Sequence, residues 1–195
     1  MEVKVLQEGQ KLTWHFLLDE TDGKYTEKIR MQNDSFSIVL PKEFDARLAH
    51  PDHLALISLL VAHPFVGTEL KLPFEVSERF ANATNVFTSY KVIHSNKTGI
   101  EYHAPDDSSP GLAFSGGADS TACLLLMPES TVSVFMDRPI RKKTSMYNKT
   151  AAYATTAHAQ KQGHEMHSIP CDVEYLRQPL GFPTDLVPSL PLLAI

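Results

Sequence analysis

The segment Gly111-Leu-Ala-Phe-Ser-Gly-Gly-Ala-Asp-Ser120 constrains this chain more than any other. Leu112, Ala113 and Phe114 predict a short buried strand, Ser115 to Ser120 a loop, and the small and apolar run from Thr121 to Met127 a helix. A strand, a glycine-rich turn and a helix in that order make an anion site. Gly116 and Gly117 let the backbone approach a ligand closely and adopt turns that a Cβ hinders. The N–H groups of the loop and of the helix start then converge where the helix dipole favours negative charge. Ser115 and Ser120 add hydroxyl donors. Asp119 would repel a bare phosphate; it makes sense when a Mg²⁺, or the water shell of one, lies between the two.

Composition bounds the rest. A chain of 195 residues holds one large domain or two small ones. Hydrophobic content of 43% and charged content of 21% are those of an ordinary globular protein. A net charge of −5 speaks against a nucleic-acid partner, which calls for a basic face. No apolar run is long enough to span a bilayer, and Met-Glu-Val-Lys-Val opens no secretion signal, so a cytoplasmic protein with no membrane partner is expected. Cys123 and Cys171 fit that compartment as free thiols.

Along the chain, residues 1 to about 40 predict hairpins of a small antiparallel sheet, with strands over Glu2–Leu6, Lys11–Leu18, Tyr25–Met31 and Phe36–Leu40. Pro51 starts a helix whose apolar body is Leu54–Val61. Leu72–Phe80 is extended and turns into a short helix; Val86–Ile93 and Ile100–Ala104 predict further strands. Pro105-Asp-Asp-Ser-Ser-Pro110 reads as a linker and separates a small α+β domain, residues 1–105, from a second domain, residues 106–195. In that second half the pattern is strand–helix–strand–helix–strand. Val132–Met136 suits a parallel strand buried on both faces. Thr144–Gln162 predicts a helix with Tyr147, Ala151, Ala154 and Ala157–His158 as its small apolar stripe and Gly163 after its end, and Glu165–Ile169 predicts the next strand. Such alternation predicts an α/β fold with a doubly wound parallel sheet, ligands sitting at the carboxyl ends of its strands. Pro188–Ile195 reads as the first turns of a buried helix without a polar tail. The chain is therefore expected to be a truncated piece of a longer domain; an apolar end docked on a twin subunit, a homodimer, is the alternative.

Ser115-Gly-Gly-Ala-Asp-Ser120 matches the pattern Ser-Gly-Gly-X-Asp-Ser at every position. In this the chain resembles the PP-loop (N-type) ATP pyrophosphatases, the superfamily of GMP synthetase, NAD synthetase, asparagine synthetase and tRNA-thiolating enzymes. The resemblance implies an adenine nucleotide alpha hydrolase-like fold, cleavage of ATP to AMP and pyrophosphate, and ATP and Mg²⁺ as cofactors. Ser115, Gly116, Gly117, Ala118, Asp119 and Ser120 would hold the pyrophosphate, with Asp119 on the metal. Asp137, at the end of the second strand of that half, would accept from a ribose hydroxyl or help hold Mg²⁺; an exposed capping aspartate is the alternative. Arg138, Arg141, Lys142 and Lys143 follow as cations for phosphates or an acidic substrate, or as a solvated basic turn. Lys149 can point toward phosphate from its helix, although a surface lysine is the plainer reading.

Together with Val134-Phe-Met-Asp-Arg138, Cys171-Asp-Val-Glu-Tyr-Leu-Arg177 and Gly181-Phe-Pro-Thr-Asp185, the loop makes residues 106–195 similar to the UDP-N-acetylmuramoyl-L-alanyl-L-glutamate epimerase family. This implies a carboxylate substrate, a UDP-muramyl dipeptide, whose terminal L-Glu is inverted after adenylation. Adenylation makes the α-proton acidic, so that a base can remove it and an acid return it on the other face. Cys171, Asp172, Glu174, Asp185 and His167 are candidates for that work by residue type, Cys171 and Asp172 with Asp119 being the catalytic set; for Cys171 a buried structural cysteine is the alternative. Amidation or thiolation on the same loop and a non-catalytic nucleotide-binding module are the competing readings. His164, His167 and Cys171 do not have the spacing of a zinc site.

Overall fold

In the computed structural model, residues 1–23, 29–42, 44–98, 106–139 and 148–179 are described. The strands are β1 (Glu2–Glu8), β2 (Lys11–Leu17), β3 (Ile29–Met31), β4 (Ser35–Val39), β5 (Glu69–Ser77), β6 (Lys91–Thr98), β7 (Gly111–Ala113), β8 (Val132–Asp137), β9 (Glu165–Pro170) and β10 (Arg177–Pro179). The α-helices are α1 (Pro51–Ala62), α2 (Glu78–Phe87), α3 (Ala118–Leu126) and α4 (Lys149–Lys161). Chain contacts divide these into two units. One comprises Met1–His103 with Asp172–Ile195, the other Ala104–Cys171. The sequence places 106–195 in one domain; by contact, residues 172–179 group with the first unit.

The first unit is built on a five-stranded sheet in the order β4-β2-β1-β5-β6. β1 and β2 form a hairpin in which Glu8 pairs with Lys11, leaving Gly9 and Gln10 as the turn. Gly9 has φ +59°, the positive value that a tight hairpin turn requires of its first position. The alternation of β2 places Leu12, Trp14 and Phe16 on the buried face. Trp14 stacks on Phe36 with ring centroids 4.9 Å apart, and its indole N–H donates to Ser58 Oγ of α1 at 3.0 Å. The antiparallel sheet expected from the sequence is only half of this one. β5 runs parallel to β1 after the chain has crossed through α1, and parallel to β6, to which α2 is the crossover.

Val86 does not start a strand as its residue type suggests. Ser77 caps α2 by accepting from Phe80 N–H, and the helix runs on through Phe87 with Val86 exposed; β6 begins at Lys91. β3 pairs antiparallel with β10 in a two-stranded ribbon. Of the predicted strand Tyr25–Met31 the described part is Ile29–Met31, and Ile100–Ala104 lies outside the described residues.

The second unit is an all-parallel sheet in the order β7-β8-β9, with α3 following β7 and α4 following β8. The unit is α/β, with Phe114, Leu124, Ala159 and Met166 packed as one cluster against Leu112. A doubly wound sheet reverses its strand order beside the first strand; among the described residues the order runs one way only, β7-β8-β9, without that reversal. Helix α4 starts at Lys149 behind the cap Asn148, and 144–147 of the predicted helix lie outside the described residues. Its buried stripe is Ala152, Thr156 and Ala159, whereas Ala151, Ala154 and Ala157 are exposed. The expected face is off by one residue, about 100° around the helix. Alanines on every side of α4 give no amphipathic signal, and the burying face is chosen by what it packs against. Among the described residues no helix is long and apolar enough to cross a membrane.

Candidate functional site

The loop leaves β7 at the carboxyl edge of the second unit's sheet. Ala113 pairs with Val134, and Phe114 N–H donates to Val134 O at 2.9 Å, so Ser115 stands beside the last residues of β8. Phe114 is buried and anchors the strand; Ser115 is exposed. Two hydroxyls close the loop on itself. Ser115 Oγ and Ser120 Oγ are 3.1 Å apart, Ser120 Oγ accepts from Ser115 N–H at 3.3 Å, and it donates to Gly117 O at 3.2 Å. Thr121 binds the same carbonyl through its hydroxyl at 2.8 Å and its N–H at 3.0 Å.

Gly116 is required here for two separate reasons. Its φ is +75°, a region that side chains disfavour. A Cβ on it would also lie 2.8 Å from Ala152 Cα and 3.2 Å from Ala152 Cβ, so the loop is pressed against the first turn of α4. Gly117 differs. It is the N-cap of α3 and has no side chain to supply the usual capping oxygen. The N–H groups of Ala118, Asp119 and Ser120 open the helix and have no carbonyl a turn back within it. Asp119 lies in that first turn, is exposed, and among the described residues has no hydrogen-bond or ion-pair partner. Exposed helix-start donors without an intrachain acceptor, and one carboxylate without a side-chain partner among the described residues, suit an anion with a hard cation at its side. Mg²⁺ takes one or two protein carboxylates and completes its shell from phosphate and water, so a lone aspartate fits it.

Asp137, at the end of β8, is engaged on both oxygens. Oδ1 lies 2.5 Å from Lys149 Nζ, and Oδ2 accepts from the Tyr153 hydroxyl at 2.5 Å. Lys149 Nζ also donates to Arg138 O at 3.2 Å and sits 5.4 Å from the Tyr153 ring centre, which in turn meets Phe135 edge-on. The bond to Asp137 raises the Lys149 ammonium above its ordinary pKa; the same carboxylate, then burial, raises the Tyr153 phenol.

The structure thus brings Ser115–Ser120 and Asp137 to one edge of one sheet, and adds Lys149 and Tyr153, which were not assigned to Asp137 from the sequence. Their signal is the i, i+4 spacing that sets both on one face of α4. Cys171 is buried, its N–H bonded to Asp137 O at 2.9 Å. Asp172 belongs to the first unit, where its carboxylate accepts from Ser37 N–H at 2.5 Å and from Ser37 Oγ at 2.9 Å. Cys171 is thus packed in the core, and Asp172 clamps the backbone and hydroxyl of Ser37. His167 Nε2 is 2.9 Å from Glu165, and among the described residues no three His, Cys, Asp or Glu side chains gather to hold a metal. Arg141, Lys142, Lys143 and Asp185 lie outside the described residues. Two shallow clefts, of about 280 and 350 Å³, lie in the first unit and are lined by none of the predicted site residues. No family model, curated protein or solved structure matches the chain.

Proposed function

We propose that the chain binds Mg-ATP at Ser115–Ser120 and cleaves it to AMP and pyrophosphate in adenylating a carboxylate. The observation that carries this reading is the loop itself: an uncapped helix start, two hydroxyls and a glycine at φ +75°, beside one unpartnered aspartate. The loop N–H groups and hydroxyls would take the β- and γ-phosphates and stabilise the charge that develops on the leaving pyrophosphate. Asp119 would hold Mg²⁺, which supplies charge neutralisation there. Within this class we propose the terminal L-Glu of UDP-N-acetylmuramoyl-L-Ala-L-Glu as the carboxylate, on the resemblance of the segments at Asp137 and Cys171 to the epimerase family. That would place the protein in peptidoglycan precursor synthesis.

One observation favours a second reading, a nucleotide-binding module without catalysis. The residues expected to do proton chemistry are committed elsewhere, Cys171 to the core and Asp172 to Ser37. Exchange of labelled pyrophosphate into ATP, with and without the muramyl dipeptide precursor, separates the two. Exchange that depends on the precursor is the expected result. Exchange driven by ammonia or a sulfur donor instead moves the activity to amidation or thiolation. ATP binding by calorimetry with no exchange establishes the second reading, and no ATP binding at all defeats both.

A further inference from the structure

We infer that Lys149 is the lysine that contacts the terminal phosphates, held in waiting on Asp137 beside the loop; this rests on the reading of Ser115–Ser120 as an ATP site. The loop has an electrostatic deficit. It consists of Ser, Gly, Ala and Asp, and Asp119 adds a negative charge to the negative charge of a triphosphate. One Mg²⁺ offsets part of that. Backbone donors offer only partial charges.

Lys149 is placed to supply the remainder. It opens α4, and Ala152, three residues on and on the same face, is the residue pressed against Gly116. Its partner Asp137 ends β8, the strand whose pairing with β7 sets the start of the loop. Lysine, carboxylate and loop therefore share one edge of one sheet within one unit.

The contacts are those of a reserve position. The ammonium has Asp137 and the Arg138 carbonyl as acceptors, yet the Lys149 side chain keeps a quarter of its surface exposed. Tyr153 donates to the other Asp137 oxygen and fixes the carboxylate that faces the lysine. Asp137 Oδ1 is buried, so the lysine leaves it only where the charge of the terminal phosphates outweighs the cost of baring that oxygen. Lysine suits such an exchange, being a compact charge on a flexible four-carbon stem. Asp137 and Tyr153 are then positioning residues, acting on the nucleotide through Lys149.

The test is titration of the full chain by calorimetry with Mg-ATP and, separately, with AMP, which lacks the β- and γ-phosphates. Lys149→Met is expected to weaken Mg-ATP binding at least tenfold and AMP binding less than twofold. Lys149→Arg is expected to restore Mg-ATP affinity to within threefold. A merely structural pair would move both nucleotides together. In the wild-type chain the side-chain nitrogen signal of Lys149, assigned with ¹⁵N-lysine, is expected to shift with Mg-ATP and not with AMP; this arm stands even if a variant folds poorly. Unchanged Mg-ATP affinity in Lys149→Met, or an unmoved signal at saturating Mg-ATP, overturns the inference and leaves the loop reading standing. Absence of Mg-ATP binding to the wild-type chain overturns the loop reading, and this inference with it.

Discussion

Asp22, Asp52 and Asp172 of the first unit and Asp119 of the second are used in opposite ways. In the first unit Asp22 accepts from Gly67 N–H, Asp52 from the N–H and hydroxyl of Ser77, and Asp172 from the N–H and hydroxyl of Ser37. Each is half-buried, spans a long stretch of chain and ties one element to another. Asp119 faces solvent with no partner among the described residues, next to a helix start that lacks its cap. Chemistry is therefore to be sought where polar groups remain unsatisfied, and stability where they are satisfied.

Substitutions should separate the two uses, and the largest effect belongs to the loop's fit. Gly116→Val must place a branched side chain at φ +75° and against Ala152. It should destabilise the second unit by about 2–5 kcal/mol, from roughly 1–2 for the left-handed backbone and roughly 1–3 for overpacking. Amide hydrogen exchange across β8 reads this out; protection within about 1 kcal/mol of wild type would refute the close approach. Asp119→Ala should leave stability within about 0.5 kcal/mol while lowering Mg-ATP turnover by about 10²–10³-fold, equivalent to about 3–4 kcal/mol. Retained turnover would erase the contrast with the structural aspartates.

Asp172→Ala should cost about 2 kcal/mol by leaving Ser37 N–H without its acceptor. Trp14, the single tryptophan and buried in the first unit, reports that loss by fluorescence in urea. Mg-ATP affinity should stay at the wild-type value; a large drop would return Asp172 to the site. The smallest effect is at high pH. Burial pushes the Tyr90 phenol up to about 12. Its contribution to stability is whole below the unfolded value of about 10 and is lost as pH rises through about 12. Tyr90→Phe should therefore unfold less steeply between about pH 10 and 12, and an alkaline limb identical to wild type would show that Tyr90 is not the group responsible.

What could be read from the sequence was local. Strand, loop and helix around Ser115–Ser120 follow from Phe114, the glycines and the run after Ser120, all within sixteen residues of chain from Gly111 to Leu126. The partners of Asp137 were not legible, since Lys149 and Tyr153 lie 12 and 16 residues away and meet it only once α4 packs over β8. Asp172 looked like an acid–base candidate because residue type cannot reveal Ser37, 135 positions earlier in the chain. Val86 and Phe87 have strand-forming side chains, but the Ser77 cap and the helix it starts prevail over that preference. The parallel half of the first unit's sheet depends on which edge β5 joins, a choice made by packing under α1 rather than by any pattern inside β5.

The contact between Gly116 and Ala152 has a genetic consequence. The two residues form one unit of inheritance: a larger side chain at either position needs the other to yield. Shrinking Ala152 to glycine removes only the Cβ contact at 3.2 Å; the backbone Cα at 2.8 Å and φ +75° stay as they were, and glycine inside a helix costs about 1 kcal/mol. A deep mutational scan should therefore find position 116 closed to every single change, and Ala152→Gly an incomplete suppressor of Gly116→Ala. A double-mutant cycle over these two residues would show non-additive energies.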